Sequence, residues 1–256
     1  MNKSCLYCFR ELAQGEVDFH GECAVEFFGS ATPQLSDAFS LKVADAESGY
    51  LPQVEAVALR MARSVMILTQ VASLVPTAEG GVALARRGDL YAESLVELVE
   101  RLDGCEFDGS LEMIAELIED FSSIARLDVV NLFEQAIFGW VVGCNGISLA
   151  SFSLSRPNAG VCSLAPIYDF VPHLDGTQEP FGLTINGKNR NIARRDFEAA
   201  MRHMGLKDRI IRITIEKITK AREQWAEIID HSPLSEELKE SFKRFVMRRI
   251  AILQKS

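Results

Sequence analysis

The chain has 256 residues and a formal net charge of −9, with 48% apolar and 25% charged side chains and only 8 prolines. That composition belongs to a folded protein with enough chain to bury a sizeable core. It excludes wholesale disorder, collagen-like repeats and a basic histone-like protein. No apolar run approaches the ~20 residues that span a bilayer. The opening Met1-Asn2-Lys3-Ser4-Cys5 carries no apolar leader, so no export signal is expected. Six cysteines are too few for a disulfide scaffold in a chain of this size, and a reducing, cytoplasmic setting is the expectation.

Three of the six cysteines fall in the first 23 residues. The pattern is Cys5-x2-Cys8, then His20-x2-Cys23, with Gly15 and Gly21 available for turns. Two x2 pairs are what a tetrahedral zinc ion needs, because each pair bites from one tight turn. Four protein ligands leave no open position, so such a zinc would be structural. The alternative is three ordinary thiols and a surface histidine. Cys105, Cys144 and Cys162 lie in apolar surroundings and read as small core residues.

After the knuckle, residues 38–43 alternate and read as a strand ending near Lys42. A turn is expected over 45–49. Pro52 opens a helix through about Ser64, with Val54, Val57, Ala58 and Met61 at helical spacing. Residues 65–68, 70–75 and 81–85 read as three strands. From there the chain becomes helical: 93–102, 110–126, and 128–142 starting at an N-cap Asp128. Strands 151–155 and 161–164 flank a turn at 156–160. A loop-rich stretch covers 166–187, and helices follow over 194–204, 209–229 and 235–254. The plan is α+β: a small α/β lobe, then a larger and mainly helical one. Charge divides the same way. Residues 1–186 carry −16 and residues 187–256 carry +7, so the C-terminal third either faces an anionic partner or presents solvated helix faces.

A small lobe followed by a helical lobe suggests a kinase-like arrangement. Lys42 would then end a strand, Glu55 would sit in the next helix as its partner, and Asp169 would be a metal-binding carboxylate beyond a hairpin.

Taken in order, the segments resemble the HipA-like kinase family, the toxin kinases of bacterial HipBA and HipBST systems. The matching pieces are Cys5-Leu6-Tyr7-Cys8, Asp18-Phe19-His20, Phe27-Phe28-Gly29, Leu41-Lys42 and Gly49-Tyr50-Leu51-Pro52-Gln53-Val54-Glu55. They continue with Asp128-Val129-Val130-Asn131-Leu132-Phe133, Phe152-Ser153-Leu154, Leu164-Ala165-Pro166-Ile167-Tyr168-Asp169 and Leu183-Thr184-Ile185-Asn186-Gly187-Lys188. The resemblance implies a two-lobed, protein-kinase-like fold: a Cys/His knuckle over 1–30, a reduced small lobe over 31–90 and a mainly helical large lobe over 91–256.

The departures bear on function. The family's catalytic stretch has the form Gly-Asn-x-Asp-x-His-x-Lys-Asn-Phe-Ser-Leu. Here Gly146 stands where the base Asp is expected, Ser148 for His, Ala150 for Lys and Ser151 for the metal-binding Asn. Glycine cannot accept a proton and alanine cannot stabilise a transferring phosphoryl group. Twelve residues separate Gly29 from Lys42, with no glycine among them, which leaves no room for the family's phosphate-cradling loop. The family's Arg-Phe-Asp-Arg-like strand is reduced to Arg86-Arg87-Gly88-Asp89.

The expectation is therefore a HipA-like pseudokinase with no catalytic residues. Lys42, Glu55 and Asp169 would be nucleotide-site relics. Cys5, Cys8, His20 and Cys23 would be zinc ligands, and ATP with Mg²⁺ is not expected as a cofactor. The resemblance implies a protein partner, HipB-like, HipS-like or an active HipA-like kinase. An atypical active Ser/Thr kinase using Asp169 and a nucleic-acid-associated module are the alternatives.

Overall fold

A computed structural model describes residues 4–36, 38–47, 51–87, 92–102, 109–156, 160–167, 169–173 and 180–255. Parts of the turns expected at 45–49 and 156–160, together with Gly88, Asp89, Cys105 and Tyr168, lie outside the described residues.

The knuckle contains a helix that the sequence reading did not anticipate, α1 (Gly21–Phe28). It buries Cys23, Ala24 and Phe27, and it stops at Gly29, whose φ of +76° suits a residue without Cβ. Next come β1 (Phe39–Lys42) and α2 (Pro52–Ser64), the latter opened by Pro52 in its first turn as expected. β2 (Ala72–Pro76) and β3 (Val82–Arg87) complete an antiparallel sheet of order β1-β3-β2. Lys42 pairs with Leu84 and Ser40 with Arg86.

The strand expected over 65–68 is not formed. Met66 adopts φ +56°, which breaks an extended run, and Thr69 makes only an isolated bridge to Ile167. The helix expected over 93–102 begins instead as β4 (Ala92–Ser94). Ser94 then caps α3 (Leu95–Arg101) by accepting from the Val96 N–H at 3.2 Å. α4 (Leu111–Phe121), capped by Ser110, ends five residues earlier than expected. α5 (Ala125–Val142) starts earlier than expected, so Asp128 is not its N-cap. That carboxylate is buried inside the helix and accepts from the Leu164 N–H and the Ser122 hydroxyl, each at 2.7 Å. It thereby fixes the second antiparallel sheet, β4-β5-β6, where β5 is Ser153–Ser155 and β6 is Ser163–Leu164.

Four helices close the chain: α6 (Arg194–His203), α7 (Asp208–Thr219), α8 (Arg222–His231) and α9 (Glu236–Gln254). The single helix expected over 209–229 is split between α7 and α8. The break lets the fully buried Trp225 donate its Nε1–H to the Met61 carbonyl of α2 at 2.9 Å. A buried aromatic of this kind is worth roughly 3–5 kcal/mol on truncation, so Trp225 is a main rivet between α8 and α2. α5 runs through the middle of the core, with Phe133, Phe138 and Val141 fully buried. Among the described residues no helix is long and apolar enough to cross a membrane.

Candidate functional site

Lys42, Glu55 and Asp169 come from β1, α2 and the segment after β6, and the fold brings them together. Lys42 Nζ lies 3.3 Å from Glu55 Oε2 and 3.4 Å from Asp169 Oδ1. A fourth residue completes the group. Arg86, from β3, ion-pairs with Glu55 Oε1 and lies 2.7 Å from Asp169 Oδ1. Glu55 and Arg86 are almost wholly buried, while Asp169 stays half exposed. A buried carboxylate is tolerated only when paired and hydrogen-bonded, and here two cations share two carboxylates. Phe170, next to Asp169, stacks edge-on against Phe138 of α5 at 4.9 Å and holds the segment in place.

Asp169 opens onto a cavity of about 620 Å³. Ser40 lines it from the sheet side, and Cys144, Gly146, Ser148 and Ser151 line it from below. The lower wall is the stretch after α5. Gly143 ends that helix with φ +87°, and its carbonyl accepts from the His173 N–H at 3.0 Å. The Ser148 N–H then donates to Ser151 Oγ at 3.1 Å and folds a 3₁₀ turn, Leu149–Ser151. Gly182 packs so closely beneath this stretch that a Cβ there would collide with the carbonyls of Ile147 and Asn145.

The N-terminal quartet also converges. Cys5, Cys8, His20 and Cys23 each offer one ligand atom, and these four atoms lie within 4.8 Å of one another. His20 Nδ1 faces Cys8 Sγ at 3.3 Å and Cys23 Sγ at 3.8 Å. The other ring nitrogen, Nε2, is 3.0 Å from the Glu11 carbonyl, which turns Nδ1 into the lone-pair side. The thiols are unequal. Hydrogen bonding from Cys5 holds the Cys8 thiol far below its ordinary value, and the same contact drives Cys5 up. Burial raises Cys23 to about 11. A cluster of three sulfurs and one imidazole at this spacing could hold a metal ion.

A family model described as the HipA-like C-terminal domain matches residues 30–225. The chain belongs to this HipA-like family. Its fold is similar to HipA of Shewanella oneidensis MR-1, solved with HipB and its operator DNA. The TM-score is 0.70 at 14% identity, over 86% of this chain and 59% of that one. It is also similar to the Helicobacter pylori proinflammatory kinase CtkA, with a TM-score of 0.65 at 15% identity, over 84% of this chain and 86% of that one. The HipA-like chain thus spans 59% of the length of the HipA it resembles. No curated protein matches it by sequence.

In this HipA-like chain the four positions where the resemblance leads one to expect catalytic residues all border the cavity. Gly146, Ser148, Ala150 and Ser151 line it directly. A Cβ at Gly146 would meet only His173 Cε1, at 3.8 Å. Arg86 is the residue that sequence reasoning missed. The signal was present: in Val82-Ala83-Leu84-Ala85-Arg86 the arginine shares a strand face with the buried Leu84. An arginine on an inward face demands a carboxylate opposite, and Glu55 supplies it.

Proposed function

We propose that this chain is a HipA-like pseudokinase: a binding or regulatory protein, linked to a toxin-antitoxin type system, that carries out no phosphoryl transfer. The observation that carries this reading is Arg86. Its guanidinium sits between Glu55 and Asp169, and Asp169 Oδ1 already faces two cations, Lys42 at 3.4 Å and Arg86 at 2.7 Å. A catalytic Mg²⁺ requires an oxygen-rich, anionic shell. Asp169 with the neutral Ser151 hydroxyl does not match that requirement. Gly146 and Ala150 add the missing base and the missing cation.

Incubation of the purified chain with labelled ATP and Mg²⁺ or Mn²⁺ tests the reading. No transfer is expected; robust transfer abolished by Asp169→Ala would overturn it. The partner is proposed to be a protein, HipB-like, HipS-like or an active HipA-like kinase. The HipA relative is itself solved with HipB and operator DNA. On this reading the chain divides into a knuckle (1–30), a reduced small lobe (31–90) and a mainly helical large lobe (91–256). The Cys5–Cys8–His20–Cys23 cluster is proposed to hold one structural zinc ion, since a closed Cys₃His set suits that metal.

A second reading, an atypical nucleotide-dependent enzyme using Asp169, is favoured by one observation. The cavity is open at Asp169, and His173 stands beside Gly146. It requires nucleotide binding, so an unchanged Tm with Mg-ATP removes it.

A further inference from the structure

The knuckle grips the two elements that carry the buried ion pair. Tyr7, between Cys5 and Cys8 of the first turn, is 3% exposed. Its hydroxyl donates to Glu26 Oε1 at 2.7 Å. Arg63, in the last turn of α2, donates to both Tyr7 Oη and Glu26 and lies over the Tyr7 ring at 4.9 Å. On the sheet side, Arg87 donates to the Phe27 carbonyl of α1 at 2.8 Å. Arg87 neighbours Arg86, so the two side chains leave opposite faces of β3. One holds the knuckle, and the other holds Glu55 and Asp169. A third tie runs from the Leu74 N–H of β2 to the Leu6 carbonyl at 3.4 Å.

Among its described residues, the knuckle contains turns and isolated bridges beyond the helix α1. Phe9, Phe19 and Phe27 are buried in the core, and a metal joining Cys5 and Cys8 to His20 and Cys23 would add the cross-link between the two halves of the knuckle. We propose that zinc bound at this cluster controls the candidate cleft: through Arg63 on α2 and Arg87 on β3, metal occupancy sets the positions of Glu55 and Arg86. With metal bound, the knuckle clamps both elements and the ion-pair group stays closed. With metal removed, the Tyr7–Arg63–Glu26 and Phe27–Arg87 ties loosen together. α2 and β3 then open locally, while the large lobe keeps its packing. The inference rests on the zinc reading above and is independent of whether the chain transfers phosphate.

Hydrogen–deuterium exchange read by mass spectrometry tests it on the full chain, loaded with Zn²⁺ and then stripped with a chelator under reducing conditions. Stripping is expected to speed amide exchange in α2 and β3 about fivefold or more, with α5 and α9 unchanged. The variant Arg63→Met/Arg87→Met should still bind one zinc per chain, yet lose the metal dependence of exchange in α2 and β3. Absence of bound zinc would defeat the zinc reading itself. Zinc bound with no effect on α2 and β3 would overturn the coupling alone, and so would equal acceleration in α5 and α9.

Discussion

Arg86 on β3 and Asp169 beyond β6 meet at 2.7 Å across 83 residues of sequence. The same guanidinium also ion-pairs with Glu55, which is fully buried. Removing one partner of a buried pair costs roughly 3–5 kcal/mol, because the other charge is left uncompensated. Arg86→Met should therefore lower unfolding stability by about 3 kcal/mol, since Lys42 still faces Glu55. The double variant Arg86→Met/Glu55→Gln should recover more than half of that loss. Urea denaturation of the two singles and the double completes the cycle; strictly additive losses would contradict it.

Gly146→Asp restores a carboxylate where the resemblance expects the base. The nearest contact of the added Cβ is His173 Cε1 at 3.8 Å, so the fold should absorb the change within about 0.5 kcal/mol. Labelled ATP should still give no transfer, because Arg86 continues to occupy the carboxylate of Asp169. Activity gained by this one substitution would mean that the cleft lacked only a base.

Gly182→Ala should be among the most damaging single methyl additions. Its Cβ would collide with the Ile147 carbonyl and lie 2.7 Å from that of Asn145. Neither is a flexible side-chain end. Overpacking against backbone costs typically 1–3 kcal/mol and sometimes more, and a loss of about 3 kcal/mol is expected by chemical denaturation. Gly187→Ala serves as the control for chain flexibility. Nothing lies within 4 Å of its Cβ, although its φ of +72° adds some strain.

Asp196 in α6 gives a pH signature. Burial pushes its carboxyl up, but Lys188 at 2.7 Å, the Ala193 N–H at 2.9 Å and Asn186 together outweigh it and hold the group below its ordinary 3.8. A depressed folded-state value means that the stabilisation is present above the unfolded value and is lost as pH falls through the folded one. Tm should therefore fall below about pH 4, and Asp196→Asn should flatten that acid limb while lowering Tm at neutral pH. An acid limb unchanged in Asp196→Asn would assign it to other carboxylates.

The legible parts of the sequence were those with a local cause. Pro52 and the apolar spacing after it set α2, Ser235 marked the start of α9, and the paired x2 spacings marked the Cys/His cluster. What could not be read had a tertiary cause. Asp128 looks like a helix cap in sequence, but its carboxylate is claimed by the distant Leu164 N–H as well as by the nearby Ser122 hydroxyl. The break between α7 and α8 is accompanied by a long-range contact, Trp225 to Met61, that local spacing does not reveal. Three members of the ion-pair group were named from motif order. Arg86 was not: its alternation with the buried Leu84 marked an inward face, but the carboxylates it meets, Glu55 and Asp169, come from distant segments.

The closed ion-pair group also constrains how this sequence can change. Among the described residues, Lys42, Arg86, Glu55 and Asp169 bring two positive and two negative side chains into one partly buried space, so a change at one charge is best matched by a change at another. Any change that frees Asp169 for a metal must displace Arg86, and that step strands Glu55 without its closest cation. The intermediate folds less well than either end. Arg86 thus acts as a latch: a metal-ready cleft is reached only by a two-step climb through a destabilised chain.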